Sequence, residues 1–461
     1  MNIIASFVNW IYQIFWGTLI SIPIGSSSLD LSLMVIMLVL MGIYFSFKTK
    51  FMFFTRFKDI IEVVLEKKAK ENGDSVSGFQ TLIISTATRV GMGNLVGVVA
   101  AIGAGGAGAI FWMWIMALLN TATAYIESTL ACIYREKDEL YGGYKGGPAY
   151  YIHQFFMKGN KSKRCVVSIL FVVSAVVCWG GVTQVIGNSV AQGLYSAYTI
   201  PPLYTTIVFV SLSAIIVFRK RATVKVLDVV VPVMALFYIA MTIFVMMINF
   251  NVLPSMFHDI ISQAFGIKQV VAGGIGAVIM NGIKRGLFSN EAGSGSAPCA
   301  AACADVSHPA KTGLLQAFGV FLDTVVICSC TAFILLLVPE SLRQGLDGMP
   351  LLFQAMDYHF GSVGVFFMCL ILFLFSFSTF LGILFYGRGN ISYIWPKSMK
   401  AQSAYKLFSL AMLFIGGLSS YSFVWDLGDV GIAWMTLLNF IVLLPMSKEA
   451  IKLLKEYKNN K

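Results

Sequence analysis

From residue 31 to residue 446 the chain is a succession of apolar runs separated by short polar loops. Each run is about long enough to cross the hydrocarbon of a bilayer, and in lipid every backbone N–H and C=O must be paired inside the protein. A chain of this kind is left with one solution, helices packed as a bundle. Eleven runs fit, at 31–47, 79–102, 108–133, 165–190, 202–218, 226–250, 264–290, 313–338, 360–386, 404–421 and 430–446, numbered spans 1 to 11. Hydrophobic residues make up 57% of the 461 and charged residues only 12%, roughly half the charge of a soluble domain. That excludes a soluble enzyme. No HExxH, Walker A, GxSxG or CxxC pattern is present, and His153, His258, His308 and His359 all fall in loops or at span ends.

A net charge of +11 invites a nucleic-acid partner, but its placement says otherwise. Of 33 Lys and Arg, 28 fall in six clusters, at 48–70, 135–164, 219–225, 311, 388–406 and 448–461. Every second loop is therefore basic, the positive-inside pattern of a multi-pass plasma-membrane protein, with the remaining loops carrying acids such as Asp259, Asp347, Asp426 and Asp429. Eleven spans then put the N-terminus outside and the C-terminus, with a basic tail at 447–461, in the cytoplasm. The charge reports orientation among membrane lipids and no nucleic-acid partner. No Lys or Arg precedes Lys48, so residues 1–28 are not a secretory signal. VNWIYQIFW within them reads as an amphipathic segment in the outer interface.

Two spans are full of poor membrane-helix residues. Span 2 contains STATRVGMGNLVGVVA (Ser85–Ala100), and span 7 reads VVAGGIGAVIMNGIKRGLFSNEAGSGS. With span 1 (31–47) set aside as an accessory, spans 2–6 (79–250) and 7–11 (264–446) form two sets of five, each opening on its interrupted span. An odd repeat length makes the sets inverted, and glycine-interrupted segments at matching positions point to a transporter's binding site.

At a break in span 2 near Gly91–Gly93, N–H groups of one half-helix suit a carboxylate and C=O groups of the other suit a cation. Asn94 adds a side-chain carbonyl. Gly97 reads as a packing glycine. Arg89 lies about 15 Å deep at 1.5 Å per residue, and an intramembrane cation needs a partner. Asp323 in span 8 matches it in depth, and Glu127 in span 3 is the second candidate for this gating or structural ion pair. Lys284 and Arg285 are placed to snorkel to an interface. In span 4, Trp179 and Gln184 flank GGVT and are candidates to line a pocket. Span 9 carries Ser376, Ser378 and Thr379, hydroxyls suited to Na⁺.

RVGMGNLVGVVAAIGAGGAGAIFWMW, YIESTLACIYRE, GGPAYYI, KRGLFSNEAGSGSAP, HPAKTGL and FLDTVV occur in that order. Together they resemble the signature of the alanine or glycine:cation symporter family. GMGN…GGAGAIF is also similar to the first two core helices of the bacterial leucine transporter fold. The resemblance implies a symporter, not an enzyme, with no cofactor, taking up a small amino acid with Na⁺ as co-transported ion. It places Gly91, Gly93 and Asn94 at the unwound first core helix, and Asn281, Gly282 and Ile283 at the substrate-facing break of the sixth. It makes Thr379 and Ser378, with carbonyls near Ala87 and Val90, the Na⁺ ligands. H⁺ coupling, a channel and a non-transporting amino-acid sensor are the alternatives.

Overall fold

The computed structural model describes residues 2–24, 27–66, 76–77, 82, 86, 89–158, 160, 164–218, 222–266 and 274–459. Apart from three two-stranded ladders it is a bundle of helices. All eleven apolar runs carry helix: Leu33–Lys48, Val98–Gly105, Gly108–Ile133, Val166–Tyr198, Pro202–Val217, Ala222–Ile248, Gly274–Asn290, Pro309–Leu336, Gly348–Ile394, Met399–Gly417 and Tyr421–Asn459. Seven helices among the described residues are long and apolar enough to cross a membrane. Local chemistry sets several starts. Pro202 and Pro309 occupy first turns, where an N–H has no helical acceptor to lose. Ser32 and Ser398 cap their helices by accepting from the N–H groups of Val35 and Ala401.

Several boundaries differ from the sequence reading. Span 9 begins at Gly348 and bends at Gly361, whose φ of 63° and ψ of −154° suit only glycine. Span 11 begins at Tyr421, so Asp426 and Asp429 lie on its first helical turns and not in a loop, and it continues through the expected tail to Asn459. The loop before span 7 holds a further helix, Leu253–Ala264. Its C-terminal end is tied to span 3, because Gln263 Oε1 accepts the Ala107 N–H (2.8 Å) and Ala264 O accepts the Trp112 indole (3.0 Å).

The N-terminal stretch forms helix Asn2–Trp16, with Phe7 and Trp10 exposed and Phe15 and Trp16 buried. An antiparallel hairpin follows, Thr18–Ile24 with Ser27–Ser32, which the sequence reading did not contain. Helix Asn2–Trp16 packs on span 11 and the return strand on span 7.

Span 4 packs along spans 9, 10 and 11, and span 3 along spans 1, 7 and 8. Span 2 packs on spans 7 and 8, and spans 2 and 8 both carry π-helical turns, at Gly93–Gly97 and Phe321–Ile327. A π-turn adds a residue to a helix and leaves carbonyls out of register. Here one such carbonyl, Asn94 O, accepts the Thr331 hydroxyl of span 8 (2.6 Å).

Candidate functional site

The helical ladder of span 2 fails at Val90–Gly91. Among the described residues the Gly91 N–H reaches Arg89 O (2.9 Å) and the Asn94 side-chain oxygen (2.8 Å). The next N–H, of Met92, is accepted by the Thr379 hydroxyl of span 9 (3.1 Å), which itself donates to Phe375 O (2.8 Å). A Cβ on Gly91 would fall 1.8 Å from Thr379 Oγ1, so the hydroxyl occupies the space of a side chain. A Cβ on Gly93 would meet Ser289 Cα at 2.9 Å, which lets the backbones of spans 2 and 7 touch. Gly97 differs from both, since its Cβ would meet nothing within 4 Å. Close packing is therefore not what Gly97 provides. Gly97→Ala is expected to leave thermal stability unchanged or raised by up to about 1 kcal/mol, with amino-acid uptake within twofold of wild type. A large loss of uptake by folded protein would show that another conformation needs the glycine.

Asn94 joins the two π-turns. Its Nδ2 donates to Asp323 Oδ1 (2.7 Å), and Asp323 Oδ2 also accepts from the hydroxyls of Ser289 and Thr324 (2.8 Å each). Asp323 is thereby satisfied by neutral donors, and the expected Arg89–Asp323 pair does not form. Arg89, fully buried, donates through Nη1 to Gln316 Oε1 (2.9 Å) and O (3.3 Å), while its Nε and Nη2 have no acceptor. Matching depth places two residues at one level of the bundle but not on facing sides. Glu127 does not pair with Arg89 either. Its Oε1 accepts the Gly293 N–H (3.1 Å) and its Oε2 the Asn439 amide (3.0 Å), and that amide also donates to Gly293 O (3.0 Å).

Glu127 thus caps the real break of span 7. The helix runs unbroken through Asn281, Gly282 and Ile283 to Asn290. Asn281 donates to Ala277 O of its own helix (2.9 Å), Ile283 is buried, and a Cβ on Gly282 would meet Ala109 O at 2.5 Å. Gly282 serves contact with span 3, not a break. The chain unwinds at 291–296, where Glu291, Gly293 and Gly295 take φ of 56°, 93° and 85°, and helix resumes at Ala297–Ala301. Gly293 and Gly295, two apart and followed by Pro298, were the readable signal for this position. Lys284 and Arg285 do not snorkel. Both are buried and share Asp429 of span 11, Lys284 at 2.6 Å and Arg285 at 3.0 Å, and Lys284 also donates to the Tyr12 hydroxyl (2.6 Å).

The two breaks face one small pocket. Met92 and Gly93 line it from span 2, Thr379 from span 9, and Phe288, Glu291 and Ser296 from span 7. Span 4 adds Cys178, Trp179, Val182 and Val185, and span 11 adds Ile432. Trp179 is the span 4 residue foreseen, and its indole donates to Ser296 Oγ (3.3 Å). Gln184 lies five residues on, about 140° around the helix, and its Nε2 meets Met412 Sδ of span 10 (3.3 Å). Ser378 donates to Phe375 O (3.0 Å). Val90 is buried beside Gly91, and Ala87 lies outside the described residues. Glu291, Phe288 and Ser296 were missed because the break was placed nine residues too early. Among the described residues no cluster of three or more His, Cys, Asp or Glu could hold a metal ion.

A family profile described as the sodium:alanine symporter family matches residues 18–461. The probable sodium/glutamine symporter GlnT of Bacillus subtilis (strain 168) is 38% identical over 442 residues, covering 95% of this chain and 91% of its own. The putative sodium/proton-dependent alanine carrier protein YrbD of the same organism is 37% identical over 442 residues, 92% of this chain and 89% of its own. Among solved structures, a mutant manganese transporter of Eremococcus coleocola aligns with a TM-score of 0.52 at 11% identity, over 84% of this chain and 81% of its own. That likeness is one of fold alone.

Proposed function

The chain belongs to the sodium:alanine symporter family, a family of membrane transporters and not of enzymes, and from that premise we propose that it imports a small neutral amino acid, alanine or glycine, with Na⁺. The observation that carries this reading is the meeting of two helix interruptions, at Val90–Gly91 and at 291–296, on one pocket. Half-helix N–H groups at such a point suit the substrate carboxylate without a full buried charge. The hydroxyl oxygens of Thr379 and Ser378, with backbone carbonyls of the span 2 break near Val90, are the Na⁺ ligands.

Trp179 and Phe288 in the lining argue for a small side chain. The relatives' names divide between glutamine and alanine, and between sodium alone and sodium or proton. The small enclosed pocket favours alanine. Access alternates by rocking of two inverted five-span sets, 79–250 and 264–446, against each other. The six basic clusters support a cytoplasmic C-terminus and an external N-terminal helix.

Uptake of radiolabelled alanine, glycine and glutamine into proteoliposomes, under Na⁺ and pH gradients imposed separately, tests the reading. We expect alanine and glycine to accumulate under the Na⁺ gradient, and glutamine not to. No uptake under either gradient by folded protein would sink the symporter. Accumulation under the pH gradient alone would replace Na⁺ by H⁺. Current without saturable exchange would indicate a channel, and binding without flux a sensor.

A further inference from the structure

Glu291 is the one acidic or basic residue in the pocket lining, and the buried Arg89 guanidinium acts on it only through space, with no ion pair between them. It is the first residue beyond span 7, held at a φ of 56° that a side chain rarely adopts. Its backbone is tied down on both sides. The N–H donates to Leu287 O (2.9 Å), and the carbonyl accepts from the Ser294 N–H (3.1 Å) and hydroxyl (2.7 Å). The Tyr386 hydroxyl lies beside its side chain. One carboxylate oxygen, Oε2, is fully buried and has no hydrogen-bond partner. The fixed backbone limits the directions open to the unpartnered oxygen.

We propose that Glu291 Oε2 is the acceptor for the primary ammonium group of the transported amino acid, an inference that rests on the amino-acid reading above. An unpartnered carboxylate oxygen in a dry interior is costly unless the working state supplies a cationic donor. An ammonium carries its own three donors and its own charge. A bare metal ion fits this wall less well. Ser296 Oγ, the oxygen beside it in the lining, already accepts from the Trp179 indole (3.3 Å) and the Ser294 hydroxyl (3.2 Å). The remaining neighbours on spans 4 and 7, among them Phe288 and Val182, offer no oxygen side chain. Ammonium at Glu291 and carboxylate at the half-helix N–H groups would orient a zwitterion across the pocket. A 2-hydroxy acid of the same shape would leave Oε2 without its cation.

The test uses the purified full chain, with equilibrium binding of radiolabelled alanine at saturating Na⁺, competition by lactate, and ²²Na⁺ binding alone. In the wild-type protein lactate should fail to displace alanine. Glu291→Gln, which keeps the side chain's size, should weaken alanine at least about 30-fold, the loss typical of truncating one partner of a buried charge pair. It should narrow the preference for alanine over lactate at least tenfold and leave ²²Na⁺ binding within threefold. Glu291→Asp should weaken alanine while keeping that preference. If the glutamine variant does not fold, the aspartate variant decides, and unchanged alanine affinity there overturns the proposal. Wild-type affinity in Glu291→Gln overturns it too. So does loss of ²²Na⁺ binding with the preference intact, which would make Glu291 an ion ligand. Failure of the substrate reading shows in the wild-type protein, as no alanine binding. Failure of this inference shows only in the variants, measured with whichever neutral amino acid the wild-type protein binds.

Discussion

Asp429→Asn is expected to destabilise the protein by about 3–5 kcal/mol, the range for removing one partner of a buried ion cluster. Asp429 is fully buried and answers two buried cations at once. Lys284 Nζ sits 2.6 Å from Oδ2, and Arg285 donates Nη2 to Oδ2 (3.0 Å) and Nη1 to Oδ1 (3.3 Å). An asparagine fills the same volume but withdraws the charge and turns an amide NH₂ toward one of them. Asp426, one turn earlier and only partly buried, makes no ion pair with either. Cation–π contacts remain, with Arg285 4.1 Å from the Trp425 ring centre and Lys284 4.5 Å from that of Tyr12, but these contribute only about 0.5–2 kcal/mol. The Trp16 indole keeps its bond to the Asp429 backbone carbonyl (3.0 Å), so the N-terminal helix has no reason to detach. Thermal unfolding in detergent should show a clearly lower midpoint. Adding Lys284→Met should recover part of the loss, because one stranded cation is gone. A single variant that melts like wild type would contradict the account.

That cluster also shows what the sequence could not reveal. Lys284 and Arg285 sit in a span interrupted by glycine, and long basic side chains near a helix end do snorkel. The alternative was hidden because Asp429 looked like part of an acidic loop. In the structure the helix starts at Tyr421, with Val424 and Trp425 buried on one face, which brings Asp429 inside the bundle. The same limit governs Arg89 and Asp323. Counting residues from a membrane face yields depth, but azimuth around each helix is decided by packing. The π-turns at Gly93–Gly97 and Phe321–Ile327 alter that azimuth in mid-span, with no residue type that announces them.

Glycine was legible only in part, for a related reason. A glycine serves a positive φ, a close contact or nothing local, and the letter is the same. In span 2 the reading of Gly91 and Gly93 as a break agrees with the structure because Asn94, a side chain able to cap a freed N–H, stands beside them. In span 7 the glycines at 282 and 286 resemble those at 293 and 295, yet only the latter pair takes positive φ. That the chain is a bundle of many apolar helices, by contrast, was plain, since hydropathy over about 20 residues is insensitive to such detail. Trp179 and Gln184 fall between these cases, on one helix and near one level, but on faces that only the neighbours distinguish.

Gly91→Ala should lower Na⁺-driven alanine uptake by at least about 30-fold, and the reason is a single steric fact. The added methyl would lie 1.8 Å from Thr379 Oγ1 and 3.2 Å from both Thr379 Cβ and Phe375 O. The hydroxyl has to rotate away, since 1.8 Å is far inside any contact distance. Rotation leaves the Met92 N–H without its acceptor, a loss of about 1–3 kcal/mol for a buried donor. Overpacking adds about 1–3 kcal/mol. Together these exceed the 1.4 kcal/mol that corresponds to tenfold. Structural and coupling roles of Thr379 separate in the double variant. Thr379→Ala removes the clashing oxygen, and the remaining 3.2 Å contacts need a shift of only a few tenths of an ångström. Gly91→Ala with Thr379→Ala should therefore regain the part of the melting temperature that overpacking costs Gly91→Ala, while the Met92 N–H stays without its acceptor. It should not regain Na⁺-dependent uptake, because the hydroxyl proposed to hold Na⁺ is gone. Recovery of both would reduce Thr379 to packing and move the ion elsewhere. Recovery of stability alone is the outcome that ties the span 2 break to the driving ion.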